Sequence, residues 1–177
     1  VYDGQQHESV ARYPDLAKRA FIVSSFGKTY HVTGWKVGFV AAPAEMTTEF
    51  RKVHQFNVFS VNTPMQHALA EYLKEPLHYE QVPAFYQAKR DRFLSGLRRT
   101  EFKPLSCEGS YFQVADYSAI SDLGDVEMAE FLVSQHGVAA IPVSVFCQHP
   151  PPMRLLRFCF AKKDDTLIRA TELLCAI

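Results

Sequence analysis

Two short apolar runs, Ala20–Ser24 and Val37–Ala42, limit what the first part of this chain can fold into. Both read as strands, and the first reads as a buried one. Pro43 closes the second run, because proline donates nothing to a ladder. Between the runs lies a polar, glycine-bearing stretch from Ser25 to Gly34. A side chain just beyond the first strand is held by rigid backbone and can still face a cleft.

From Ala44 onward the pattern turns helical. Helices are expected over about 44–57, from Thr63 to near Lys74, and from about Pro83 to Arg99. Thr63 with Gln66 fits a capping box, and Pro64 sits where the first helical turn tolerates proline. In the third helix Val82, Tyr86, Phe93 and Leu97 lie near one face. Pro83 disfavours helical geometry at Val82, so the domain boundary is placed there, giving 1–82 and 83–177. The remainder reads as a small α+β unit. Strands are expected over 111–115, 138–141 and 155–160, with helices capped by Asp125 and Asp164.

Composition narrows the function classes. Nineteen basic residues balance nineteen acidic ones, which gives no global pull toward nucleic acid or an anionic membrane. The basic run Lys89–Arg99 is interleaved with Asp91, Phe93, Leu94 and Leu97 and reads as a solvated helix face. No apolar run approaches a membrane span. Cys107, Cys147, Cys159 and Cys175 show no C-x-x-C spacing, and no histidines share a helix face at ligand spacing. Reduced thiols in a cytoplasmic protein and no metal site are therefore expected. The sequence opens at Val1 without methionine and reads as a fragment of a longer chain.

The candidate chemistry lies in Ser24-Ser25-Phe26-Gly27-Lys28 and Thr33-Gly34-Trp35-Lys36-Val37-Gly38. A lysine condenses with an aldehyde as the neutral amine, which burial or neighbouring cations favour. The Ser25 hydroxyl and the Lys36 cation suit a phosphate. Glycines at 27, 34 and 38 permit close approach or unusual dihedrals. By itself this pattern leaves Lys28 more simply read as a surface lysine, since lysines are common and mostly exposed.

A second candidate is Arg157. On the expected strand it shares a face with Cys159, while Leu156, Phe158 and Phe160 line the other. An arginine in so apolar a strand needs an anionic partner. That partner is either a protein acid or a ligand carboxylate, which a guanidinium grips with two parallel hydrogen bonds.

The segment around Lys28 resembles the cofactor-lysine signature of the class I pyridoxal-phosphate-dependent aminotransferases of fold type I. There a serine lies three residues before the lysine and a phosphate-binding cation eight after it, as Ser25 and Lys36 do here. Gly34-Trp35-Lys36 is similar to the kynurenine and glutamine transaminase branch, especially its bacterial methionine aminotransferases. The resemblance continues through His54-Gln55, Cys107-Glu108-Gly109 and Arg157-Phe158-Cys159-Phe160.

The resemblance implies the end of a large cofactor-binding α/β domain followed by a small α+β domain. It implies that Lys28 anchors pyridoxal phosphate and shuttles a proton, that Ser25 and Lys36 bind its phosphate, and that Arg157 holds the substrate carboxylate. Phe59 would be lent to the neighbouring subunit's substrate pocket in a homodimer. Many relatives have histidine after that aromatic, where this chain has Ser60. The implied reaction moves the amino group of a hydrophobic or sulfur-containing amino acid, methionine foremost, to a 2-oxo acid. A cysteine-conjugate β-lyase and an aminotransferase-like regulatory domain are the alternatives. The groups that support the cofactor ring are expected upstream of Val1, so this chain alone should turn over little or nothing.

Overall fold

The computed structural model describes residues 1–177. The chain forms two compact units, one of Gln6–Val82 and one of Val1–Gln5 with Pro83–Ile177. No helix is long and apolar enough to cross a membrane.

The first unit holds a short helix α1 (Pro14–Ala17), strand β1 (Ile22–Ser25), one helical turn α2 (Phe26–Thr29) and strand β2 (Gly38–Ala41). Helices α3 (Ala44–Asn57), α4 (Thr63–Tyr72) and α5 (Leu77–Glu80) follow. β1 and β2 pair antiparallel from Ile22↔Ala41 to Ser25↔Gly38, so residues 26–37 form the closed end of a hairpin. The strand before Lys28 is not buried as expected: Val23 is 72% exposed. Within this unit the sheet has only these two strands, and no third strand or second layer covers that face. The helix at 63 is capped one residue earlier than expected. Asn62 Oδ1 accepts from Met65 N at 3.2 Å, and Gln66 reaches back to the Val61 carbonyl.

The second unit contains α6 from Pro83 onward (the helix spans Val82–Leu97), β3 (Lys103–Pro104), β4 (Phe112–Asp116), α7 (Asp125–His136), β5 (Ile141–Pro142), β6 (Leu155–Cys159) and α8 (Asp164–Leu174). Its sheet is antiparallel in the order β3-β4-β6-β5. Side chains alternate across β4 and β6. Gln113, Ala115, Leu156 and Phe158 point into the core with Phe93 and Leu97 of α6, Met128 and Leu132 of α7, and Leu167 and Leu174 of α8. The opposite face carries Phe112, Val114, Arg157 and Cys159, all half-buried. β5 is shorter than the expected strand and includes Pro142, which an edge strand accommodates.

Residues 1–5, expected with the first domain, belong to this second unit. Tyr2 is 3% exposed, bonded through its N–H to the Glu108 carbonyl and through its hydroxyl to the Ser110 carbonyl. The Asp3 carboxylate accepts two bonds from Arg90, at 2.6 and 2.7 Å, and Arg90 also lies over the Tyr2 ring. Burial pushes the Tyr2 hydroxyl up to about 12, while the Arg90 guanidinium holds the Asp3 carboxyl below its ordinary value.

Two expected caps do other work. Gly124 is the cap of α7, and its N–H donates to Glu127 Oε2 at 3.2 Å. The Asp125 carboxylate instead accepts from Ser144 N at 2.7 Å and Ser144 Oγ at 2.6 Å. Asp164 accepts from Lys89 and Arg92 of α6.

Asp125 is 5% exposed. Burial alone would raise its pKa, but the bonds from Ser144 and nearby amides outweigh that and hold it below the usual carboxylate range. A depressed carboxyl stabilises the fold above its unfolded value, and the contribution is lost as pH falls through the folded one. Asp125→Asn should therefore flatten the acid limb of a stability-against-pH curve. An unchanged limb would remove Asp125 from the acid response.

Gly96 sets the contact between α6 and α8. A Cβ there would lie 2.4 Å from Thr171 Oγ1 and 2.6 Å from Thr171 Cβ. Thr171 is buried and bonded back to the Leu167 and Ile168 carbonyls, so it has little freedom to withdraw. Helix propensity favours alanine by about 1 kcal/mol, yet overpacking costs about 1–3 kcal/mol. Gly96→Ala should lower the urea midpoint, and a raised midpoint would show that the helices separate freely.

Candidate functional site

The closed end of the β1–β2 hairpin gathers three of the expected site residues. Ser25 ends β1, Lys28 lies in α2, and Lys36 sits two residues before Gly38, the cross-strand partner of Ser25. The segment is locally pinned. Gly27 O accepts from Val32 N at 3.0 Å and from Thr33 Oγ1 at 3.2 Å, and Thr29 Oγ1 bonds the Ser25 carbonyl. Gly27 and Val37 are buried, while Ser25, Lys28 and Lys36 are exposed.

Glycine is required where backbones meet. A Cβ on Gly38 would lie 2.5 Å from Ser24 O, and one on Gly27 would lie 3.0 Å from Thr33 Cα. Gly34, by contrast, has open space around it. Lys36 is left-handed at φ 55°, immediately after a 3-10 turn over Thr33–Trp35, and His31 is left-handed at φ 57°. Such geometry costs a non-glycine residue on the order of 1–3 kcal/mol and collects at functional sites.

Arg12, Lys18, Lys52 and Lys74 of the same unit each pair with a nearby carboxylate. Lys28 and Lys36, like Arg19 and Arg51, do not. The loop thus offers an amine, a hydroxyl and a second cation on a tight backbone. Phe26 packs on Tyr30 and Phe39, and Tyr30 meets Tyr72 edge-on, so Tyr30 is committed to packing.

Phe59 follows α3, is left-handed at φ 66° and is 84% exposed. Phe56, three residues earlier, is 88% exposed. A strained backbone here presents an aromatic outward instead of burying it.

In the second unit, Arg157 lies on β6 between Val114 of β4 and Ile141 of β5. Its Cζ is 4.2 Å from the Phe112 ring centroid and 4.7 Å from that of Phe146. Its Nε is buried without a hydrogen-bond partner. The neighbouring Arg154 pairs with Asp122 at 2.7 Å, and Arg90 and Arg92 are paired as described, but no carboxylate of the chain pairs with Arg157. A guanidinium set against two rings and left without a counter-ion can receive a planar anion.

The sequence reading missed Phe112 and Phe146. Phe112 joins the Arg157 face through its pairing to Cys159, a contact between strands that spacing along the chain does not reveal. Phe146 sits on a 3-10 turn, Ser144–Phe146, whose approach to β6 leaves no trace in sequence spacing.

Comparison with known proteins supplies the family. Residues 1–174 match the model of "Aminotransferase class I and II". The chain is 55% identical over 172 residues to methionine aminotransferase of Escherichia coli, covering 97% of this chain and 45% of that protein. It is 36% identical over 193 residues to kynurenine–oxoglutarate transaminase 3 of Rattus norvegicus, covering 98% of this chain and 42% of that one. The crystal structure of YbdL from Escherichia coli, reported with a methionine aminotransferase function, superposes with a TM-score of 0.96 at 54% identity, over 99% of this chain and 47% of that one. The chain therefore spans about half the length of the relatives it matches. On the match of 1–174 and on this likeness in sequence and fold, the chain belongs to the class I and II aminotransferases.

Proposed function

We propose that the whole protein is a pyridoxal-phosphate-dependent aminotransferase acting on methionine and similar hydrophobic or sulfur-containing amino acids. The observations that carry the reading are, each within its own unit, an unpartnered lysine on a glycine-constrained loop and an unpartnered arginine set against two rings. The 55% identity to a methionine aminotransferase supports this substrate class.

The residues present fit the cofactor. Gly27 and Gly38 sit where a Cβ has no room, and the loop offers the amine, hydroxyl and cation that a phosphorylated aldehyde requires. Pyridoxal phosphate, when bound, supplies the sink for negative charge developed at the substrate Cα. Ser25 and Lys36 hold the phosphate by charge-assisted bonds. Lys28 would hold the cofactor's aldehyde covalently, and its neutral amine would move the proton at the substrate Cα as general base. Arg157 would take the α-carboxylate and so orient the bound amino acid. Phe59 lends an apolar wall to the site of a second subunit in a homodimer, supported by its outward, strained placement. The four free cysteines fit a reducing, cytoplasmic setting.

Borohydride reduction of the whole protein should fix the cofactor to Lys28, and a peptide map placing it on Lys36 or Lys52 would overturn the assignment. Lys28→Ala should retain amino-acid binding and lose transamination by several orders of magnitude, whereas Lys36→Ala should weaken cofactor retention. Product analysis belongs to the same test, because pyruvate with ammonia in place of a 2-oxo acid would point to β-elimination.

Arg157→Ala should weaken amino-acid and 2-oxo-acid binding by about 2–5 kcal/mol, the cost of removing a desolvated charged partner. Cofactor affinity should stay unchanged. Equal loss of cofactor and substrate would reassign Arg157 to the phosphate or to the structure.

A further inference from the structure

The carboxylate role of Arg157 leaves unexplained what aims the guanidinium, and two features of the second unit bear on it. Phe146 is 61% exposed, so core burial does not account for its place beside Arg157. The buried Asp125 spends its carboxylate on Ser144, nineteen residues away, and not on its own helix terminus.

These features connect. Ser144 opens the 3-10 turn that ends in Phe146, and Asp125 grips both its N–H and its hydroxyl. Phe146 N and Cys147 N close the turn on the Val143 and Ser144 carbonyls, at 3.2 and 2.9 Å. The turn is thereby tied to the first turn of α7, whose Met128 and Leu132 are fully buried. Phe146 is thus presented from a rigid base. Phe112 is presented from β4, which pairs along its whole length with β6. Both rings lie against the guanidinium, and Nε is buried without a partner. Only the edge bearing the two terminal nitrogens remains to meet a ligand.

Resting on the carboxylate reading of Arg157, we propose that Phe112 and Phe146 are positioning residues that clamp this guanidinium, and that Asp125 holds the Phe146 arm through Ser144. The clamp has a chemical consequence. With two rings packed against it and Nε buried, the guanidinium leaves its terminal nitrogens for an acceptor, and approach in the guanidinium plane satisfies two of them at once. A planar carboxylate presents both oxygens there. A tetrahedral sulfonate presents at least one oxygen out of the plane, toward a ring that repels anions by its negative face. The clamp therefore selects carboxylates over sulfonates of the same length and charge.

The test uses the whole, cofactor-loaded protein and two inhibitors, 4-(methylthio)butanoate and 3-(methylthio)propane-1-sulfonate. The wild type should bind the carboxylate more tightly. Phe146→Leu and Phe112→Leu keep apolar bulk and lose the ring face; each should weaken the carboxylate about three- to tenfold and shrink the preference over the sulfonate. KM for amino acid should rise in parallel with little change in kcat, and Phe146→Tyr should restore both. Ser144→Ala removes the hydroxyl that bonds Asp125 and should shift the preference in the same direction by a smaller factor. Arg157→Ala should abolish the preference. If Arg157→Ala leaves both inhibitors unaffected, the carboxylate reading itself fails. If Arg157→Ala abolishes the preference while both leucine variants bind and discriminate as the wild type does, the reading stands and the clamp is refuted.

Discussion

Strand β6 divides the second unit into a core and a site, and the division follows from its two-residue alternation. Leu156 and Phe158 are at most 3% exposed, and each contributes about 1.5–3 kcal/mol by burial. A slip of one residue would exchange the faces, putting Arg157 in the core and these side chains in water. The apolar residues therefore fix the register, and the register fixes where the charge points. Arg157 needs no partner of its own to hold its backbone, which leaves its guanidinium edge uncommitted.

The Lys28 loop is organised on a different principle. Val37 and Leu69 are the large hydrophobics this unit buries, and around residues 26–37 the constraint within the chain is close backbone approach. Gly27 and Gly38 allow contacts no side chain could share, and the strain of left-handed His31 and Lys36 is held by the turn bonds around them. One half of the candidate chemistry thus depends on a well-packed core, and the other on steric permission at two glycines.

The positions of Tyr2 and Asp3 show how a few residues can override chain order. Arg90 has a 7% exposed side chain, and an unpaired charge so buried would be costly. The Asp3 carboxylate and the Cys107 carbonyl meet it, while the Tyr2 ring covers it. The left-handed pair Asp3-Gly4 makes the turn that brings the first residues to this spot. The second unit therefore includes a segment taken from the far end of the sequence.

By itself the sequence determined what depends on local pattern. It gave α3 at its observed bounds, α6 to within two residues, the face of β6 that carries Arg157, and the short lysine loop between two strands. These are properties of neighbouring residues, where period, proline and glycine act directly. The tertiary structure alone decided the rest. Asp125 and Asp164 have the look of helix caps, yet their carboxylates go to Ser144 and to α6, because a distant donor satisfied them better. The strand before Lys28 looked buried from its apolar residues, but burial depends on what lies across the sheet, which the strand's own residues do not record. The rings beside Arg157 come from a neighbouring strand and from a turn eleven residues back, and contacts across that separation are fixed by packing, which no local spacing records.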